Sequence, residues 1–237
     1  MSSCATSSIR LPASSHPFLE DPVLSFESLS VLASLLVVAA IAFVLVVGLR
    51  GRRLPESRAV GEGRYSEALS QADLSEDADR ASLYAAAVAA KHLLDWDRSE
   101  TLLRRILDDN DDGEAWLELG LVETYRGNPI EALSCFDRAA AIRSDLIESL
   151  TLHRAFARLR LGDVDPAREL FEEVEVPLET KLRTDIGSGD PFFVEWFLQC
   201  SALWRALGQT AKAEWAFAQA KEAVAESRLV RMYEEEA

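Results

Sequence analysis

Three stretches of the chain carry the same residue classes at the same internal spacing, and that periodicity constrains the fold more than any single motif. The first runs through Gly120, Gly127-Asn128-Pro129, Ala132, Phe136 and Ala139. Thirty-five residues later the classes return as Ala155, Gly162, Ala167, Phe171 and Val174, and 46 further on as Ser201, Gly208, Ala213, Phe217 and Ala220. The longer step holds 11 extra residues, which the Pro/Gly-rich stretch Pro177 to Pro191 is expected to accommodate. A fixed repeat of this length is the signature of stacked supersecondary units. Small residues at 120, 155 and 201 face small residues at 132, 167 and 213, so two antiparallel helices can approach closely. Phe136, Phe171 and Phe217 then fill the space beneath each hairpin. Gly127-Asn128-Pro129 ends one helix with Gly, offers Asn as a cap and starts the next helix with Pro.

With Trp116 and Leu119 added, these residues resemble the tetratricopeptide repeat, whose W-x₂-L-G…A-x₃-F…A pattern is met by Trp116, Leu119, Gly120, Ala132, Phe136 and Ala139. The usual aromatic one turn after the Gly is replaced by Glu123 here, while Trp204 fills that role in the last unit. The terminal proline of the first unit is replaced by Ser144-Asp145. A degenerate earlier unit spans Arg80 to Asp112, with Ala87, Ser99, Leu103 and Ile106 at its core places, and residues 64–69 look like half a repeat. The resemblance covers residues 62–227. It implies an all-α fold, an α-solenoid of about three to four helical hairpins, and a protein partner held in the concave groove.

From Leu29 to Leu49 the chain has 21 residues without a charge. As a helix at about 1.5 Å per residue these would span a bilayer core of about 30 Å. A cleaved signal peptide would begin with basic residues and end at a small-residue site. This run instead follows an acidic stretch and ends in Arg50-Gly51-Arg52-Arg53, a stop-transfer flank. The expectation is a single-pass transmembrane helix. Its arginine flank places the large domain in the cytoplasm and the N-terminus outside. The chain thus divides into a polar tail (1–28), a transmembrane helix (29–49), a basic juxtamembrane linker (50–61), a helical repeat domain (62–227) and an acidic C-terminal tail (228–237).

Charge narrows the partners. The net charge is −15. Residues 1–49 contribute −2 and residues 50–64 contribute +3, which leaves −16 on residues 65–237. A surface so acidic repels phosphate backbones, so no nucleic-acid partner is expected, and the RNA-binding pentatricopeptide alternative with its similar period is set aside. Cys4, Cys135 and Cys200 form no C-x-x-C pair, and the last two lie in apolar helical stretches, the pattern of reduced core residues.

Asp108-Asp109-Asn110-Asp111-Asp112-Gly113 opens like a calcium loop, but Leu119 stands where the bidentate Glu belongs. The stretch reads instead as a turn between repeats. His16, His92 and His153 have no metal-ligand spacing, and no nucleophile elbow or phosphate-binding loop occurs. No catalytic residue, cofactor or metal is assigned.

Two surfaces stand out. The first helices of the units would line the groove with Glu114, Leu117, Leu121, Leu152, Phe156, Leu159, Glu195, Leu198 and Ala202. These are apolar or acidic, unlike the basic carboxylate clamps of some relatives, and suit an amphipathic helix with a basic rim. In so short an array, neighbouring segments can equally cover them. Phe192, Phe193, Trp196 and Phe197 crowd one helix start beyond what a single face can bury, which marks either a contact patch or a site covered by the insert. The leading functional expectation is a membrane-anchored scaffold or adaptor. An assembly factor for a membrane complex is the alternative, and an enzyme or ligand-binding regulator would require a polar pocket that motifs do not reveal. Self-association is compatible with all three.

Overall fold

A computed structural model describes residues 55–72, 75, 78–184, 192–223 and 227–236. The expected transmembrane segment, residues 29–49, lies outside them. Among the described residues no helix is long and apolar enough to cross a membrane.

Among the described residues every element is helical, apart from turns. The helices are α1 (Pro55–Gly61), α2 (Tyr65–Gln71), α3 (Arg80–His92), α4 (Trp96–Asp109), α5 (Gly113–Arg126), α6 (Pro129–Ile142), α7 (Ile147–Leu161), α8 (Val164–Thr184), α9 (Phe192–Ala206), α10 (Thr210–Ala223) and α11 (Arg228–Glu236). A short 3₁₀ turn, Ser144–Leu146, precedes α7. Consecutive pairs form five antiparallel hairpins, one or two more than the spacing predicts.

The hairpin turns share one backbone device. Gly63, Gly127, Gly162 and Gly208 adopt positive φ, as does Leu94 at the corresponding turn of α3–α4. A left-handed residue closes the first helix and reverses the chain, and five positions later stands Ala68, Ser99, Ala132, Ala167 or Ala213. These residues are buried. At Gly120 the close approach is measurable: an added Cβ would lie 2.4 Å from Phe136 Cε1. The first and last full hairpins add a hydroxyl. Ser99 Oγ donates to the Ala87 carbonyl and Ser201 Oγ to the Ala213 carbonyl, each at 2.8 Å.

Capping follows the sequence except at Asn128. Asp112 accepts from the backbone of Glu114 and Ala115 at the start of α5. Asn128 stands at the α6 N-cap, yet its side chain caps nothing and donates instead to Glu123 at 2.8 Å. Pro129 at the first turn carries no N–H that would need a cap.

Three boundaries differ from expectation. Residues 55–61 of the linker form α1, which buries Ala59 and Val60. The insert does not begin at Pro177, because α8 runs through it to Thr184. An interior proline costs roughly 3 kcal/mol, and the extension offsets that by burying Leu178 and Leu182, at roughly 1.5–3 kcal/mol each. The C-terminal tail is α11, whose Leu229, Val230 and Tyr233 are buried in the domain core.

Candidate functional site

The helices α3, α5, α7 and α9 meet at a buried polar network. Its two carboxylates are Glu118 on α5 and Glu195 on α9, and the hydrogen bonds of the other members run toward them, directly or in relay. Lys91 Nζ lies 2.6 Å from Glu118 Oε2 and also pairs with Glu195 Oε1. His92 Nε2 sits 3.2 Å from Glu195 Oε1, which assigns it the N–H and leaves Nδ1 to accept from Ser227 Oγ at 3.0 Å. Tyr84 donates to Glu118 and Tyr125 to Glu195, both at 3.3 Å. A second arm reaches Glu195 through α7. Ser149 donates to His153 Nε2 at 2.9 Å, His153 Nδ1 to Gln199 at 2.7 Å, and Gln199 to the Tyr125 hydroxyl at 3.0 Å.

Burial sets the protonation states. Burial opposes the charged form of Lys91, yet the Glu118 and Glu195 charges outweigh it and hold its pKa above the usual lysine range. Burial also opposes ionised Glu195, but Lys91 and His92 keep its carboxyl well below the carboxylate range. Burial raises Glu118, and the neighbouring Glu195 charge adds to that. Burial pushes His153 down to about 4 and lowers His92 in the same direction, so both imidazoles are neutral near pH 7. The Cys200 thiol is pushed far up by burial and is no thiolate nucleophile.

The helix α9 explains how the network closes. It is apolar on nearly all sides, and such a helix must be surrounded. It packs on α7 and α10, while its Glu195 reaches α3. The final helix α11 packs against α5 and α7. Tyr233 stacks on Phe156 at 6.0 Å and meets Tyr125 edge-on at 6.3 Å, and Arg228 donates to the Leu93 carbonyl at the end of α3.

The nine groove residues are therefore divided. Glu114, Leu117, Leu121 and Glu195 line a pocket of 370 Å³ together with Tyr84, Glu118 and His153. Phe156, Leu159 and Ala202 line a second of 430 Å³, bounded by Tyr233. Leu152 and Leu198 are fully buried core residues and offer no surface. The aromatic cluster is divided too. Phe193 and Trp196 meet edge-on at 5.6 Å in the wall of the 370 Å³ pocket, whereas Phe197 is buried against Trp215. The Phe192 side chain lies outside the described residues.

The acidic turn is occupied by protein contacts. Asp112 caps α5 and binds Arg80, and Asp111 accepts from Trp116 Nε1 at 2.6 Å. Among the described residues no group of three potential ligands could hold a metal.

Sequence reading placed Glu195 in the groove but missed the network around it. The signal was a charge inside an apolar helical run: Lys91 closes Tyr84-Ala-Ala-Ala-Val-Ala-Ala, and Glu118 sits within Trp-Leu-Glu-Leu-Gly. Buried charges of this kind require partners.

No family model matches the sequence, and no curated protein does. Solved structures similar to it include "MamA MSR-1 C2", at 19% identity and a TM-score of 0.43 over 70% of this chain and 90% of that one. Another is YrrB, described as "a TPR protein with an unusual peptide-binding site", at 15% identity and a TM-score of 0.37 over 83% of this chain and 90% of that one.

Proposed function

We propose that residues 55–236 form a non-catalytic, tetratricopeptide-like protein-interaction module whose concave groove receives an amphipathic helix of a protein partner. The observation that carries this reading is the seating of α11. This helix is amphipathic: Leu229, Val230 and Tyr233 are buried in the core, and Tyr233 lies against Phe156 and Tyr125 and borders the 430 Å³ pocket. Three such side chains contribute roughly 1.5–3 kcal/mol each before the entropy of ordering nine residues is subtracted. A helix held by so small a margin is a resident that a better-fitting helix can replace.

In this reading the uncharged run 29–49 tethers the module to a membrane, with the domain on the cytoplasmic, arginine-flanked side. Tethering raises local concentration, so a modest groove affinity is sufficient. The 370 Å³ pocket is apolar and acidic, whereas the 430 Å³ pocket carries Arg160 and Arg205, and the partner helix is accordingly apolar on one face with basic residues toward the first pocket and acidic ones toward the second.

Photo-crosslinking of the membrane-embedded full chain tests this. A benzophenone side chain at Leu159, in the groove, is compared with one at Ile130, which is 74% exposed and lines no part of either groove pocket. Loosening α11 with Tyr233→Glu, in a variant that stays helical by circular dichroism, is expected to raise a specific adduct at Leu159 and leave Ile130 unchanged. Equal adducts at both positions, or no change on loosening α11, would contradict the reading.

A further inference from the structure

The 370 Å³ pocket has a wall chemistry that the groove reading does not explain. Its acidic wall residues are Glu114, Glu118 and Glu195, and no lysine or arginine lines it. The cations that neutralise them, Arg80, Arg143 and Lys91, are absent from the lining. Glu118 and Glu195 share the buried ammonium of Lys91, so with His92 neutral the second carboxyl of the pair needs either a proton or a further cation. Buried charges are ordinarily compensated. Acceptor capacity is also left over. Glu118 Oε1 and Glu195 Oε2 each receive only a phenol hydroxyl at 3.3 Å, while a carboxylate oxygen can accept two hydrogen bonds.

The remaining wall is apolar and aromatic. Leu117, Leu121 and Leu146 offer aliphatic surface, and Trp196 offers a ring that no described cation covers. Phe193, beside it, already has the Lys181 ammonium 5.6 Å from its centroid. Aromatic faces attract cations electrostatically. Carboxylates at one side and a hydrocarbon wall at the other match a ligand with a charged head and an alkyl stem.

We propose that this pocket, between α3, α5, α7 and α9, binds a primary alkylammonium group, carried on a lysine side chain of the groove partner or on a free small amine. The lysine-borne source rests on the groove reading; the pocket chemistry does not. Head geometry selects ammonium over guanidinium. A guanidinium fork is satisfied best by the two oxygens of one carboxylate, whereas an ammonium sends three diverging donors to separate acceptors. Here the acceptors belong to separate side chains, and Lys91 shows that the same two carboxylates hold an ammonium. Occupation would supply the second cation that the pair lacks, in place of the proton that burial favours on Glu118.

The test is a titration of the full chain in detergent micelles with n-butylammonium chloride. It follows the Trp196 indole N–H resonance, assigned with Trp196→Phe, with n-butanol and sodium butyrate as controls. The expected result is a saturable shift with butylammonium alone. Glu114→Gln, at a partly exposed position where folding is retained, should weaken binding several-fold, and Leu117→Trp, which fills the pocket, should abolish it. A response to butanol or butyrate equal to that of butylammonium, or a shift that persists in Leu117→Trp, overturns the proposal. Nα-acetyl-lysine methylamide separates the sources. Binding ten-fold tighter than butylammonium assigns a lysine side chain, and equal or weaker binding assigns a free amine. Absence of any saturable shift alongside successful crosslinking at Leu159 would sink the pocket and leave the groove reading standing.

Discussion

The hairpins α5–α6 and α9–α10 share one sequence frame and play different parts. Each turns at a left-handed Gly, brings a small residue against its partner helix and buries an Ala five residues after the turn. The pair α5–α6 stacks in line between its neighbours. In α9–α10 the first helix instead lies against α7 and reaches α3 through a carboxylate. The repeat frame therefore fixes how two helices form a hairpin. Where the hairpin goes is fixed by what its outer surfaces must bury, and α9 carries Glu195, Gln199 and an apolar surround that burial among α3, α5 and α7 satisfies.

The comparison breaks most visibly at Glu195. Glu195→Ala takes one of two carboxylates from Lys91, which keeps Glu118, and leaves the His92 N–H without an acceptor; a lost charge-assisted bond and an unsatisfied buried donor together cost about 2–5 kcal/mol. The equivalent loss at Glu114, whose pairs with Arg80 and Arg143 are partly exposed, is expected to cost less than about 1 kcal/mol. Urea unfolding of the two variants measures the contrast, and equal effects would mean that α9 is not held by charge.

Next in size is pH. His153, pushed down to about 4, binds a proton less readily folded than unfolded, where its pKa is near 6.5. Its contribution is complete above about pH 6.5 and is lost as pH falls from there toward 4, roughly 3 kcal/mol in all. His92 acts in the same direction, and Glu195, lowered by Lys91, adds a loss below the ordinary carboxylate range. Glu118, raised by burial, opposes both. Unfolding at pH 7.0, 5.5 and 4.5 should show a shallower decline in His153→Gln than in the parent.

The shared frame itself gives smaller effects. Gly120→Ala drives a methyl into Phe136 and should cost about 1–3 kcal/mol by overpacking. Gly127→Ala meets no atom within 4 Å, so only its backbone conformation at φ 96° opposes it, at about 1 kcal/mol. Thermal unfolding ranks the two, and a larger loss at Gly127 would show that turns rather than helix contacts set hairpin stability.

These sizes explain what the sequence could disclose. Gly120, Ala132 and Phe136 act through local spacing, and local spacing survives in a string of letters. Leu94 was harder to see because it takes a glycine's place with φ 63°. The placement of α9 and α11 depends on pairs far apart in sequence, such as His92 with Ser227 and Lys91 with Glu195. No period marks such pairs, so a helix buried against the core read as a tail, and Leu152 read as groove surface although the core encloses it.

The measurement that bears most directly on the groove is binding of α11 in trans. A fluorescent peptide of residues 227–236 is titrated with the chain ending at Ala223 and with the full chain, both checked by circular dichroism. The account predicts a saturable rise in anisotropy with the shortened chain, little with the full chain, and loss of the rise when the peptide carries Tyr233→Ala. Equal binding to both chains, or none to a folded shortened chain, would show that the concave face does not receive a helix.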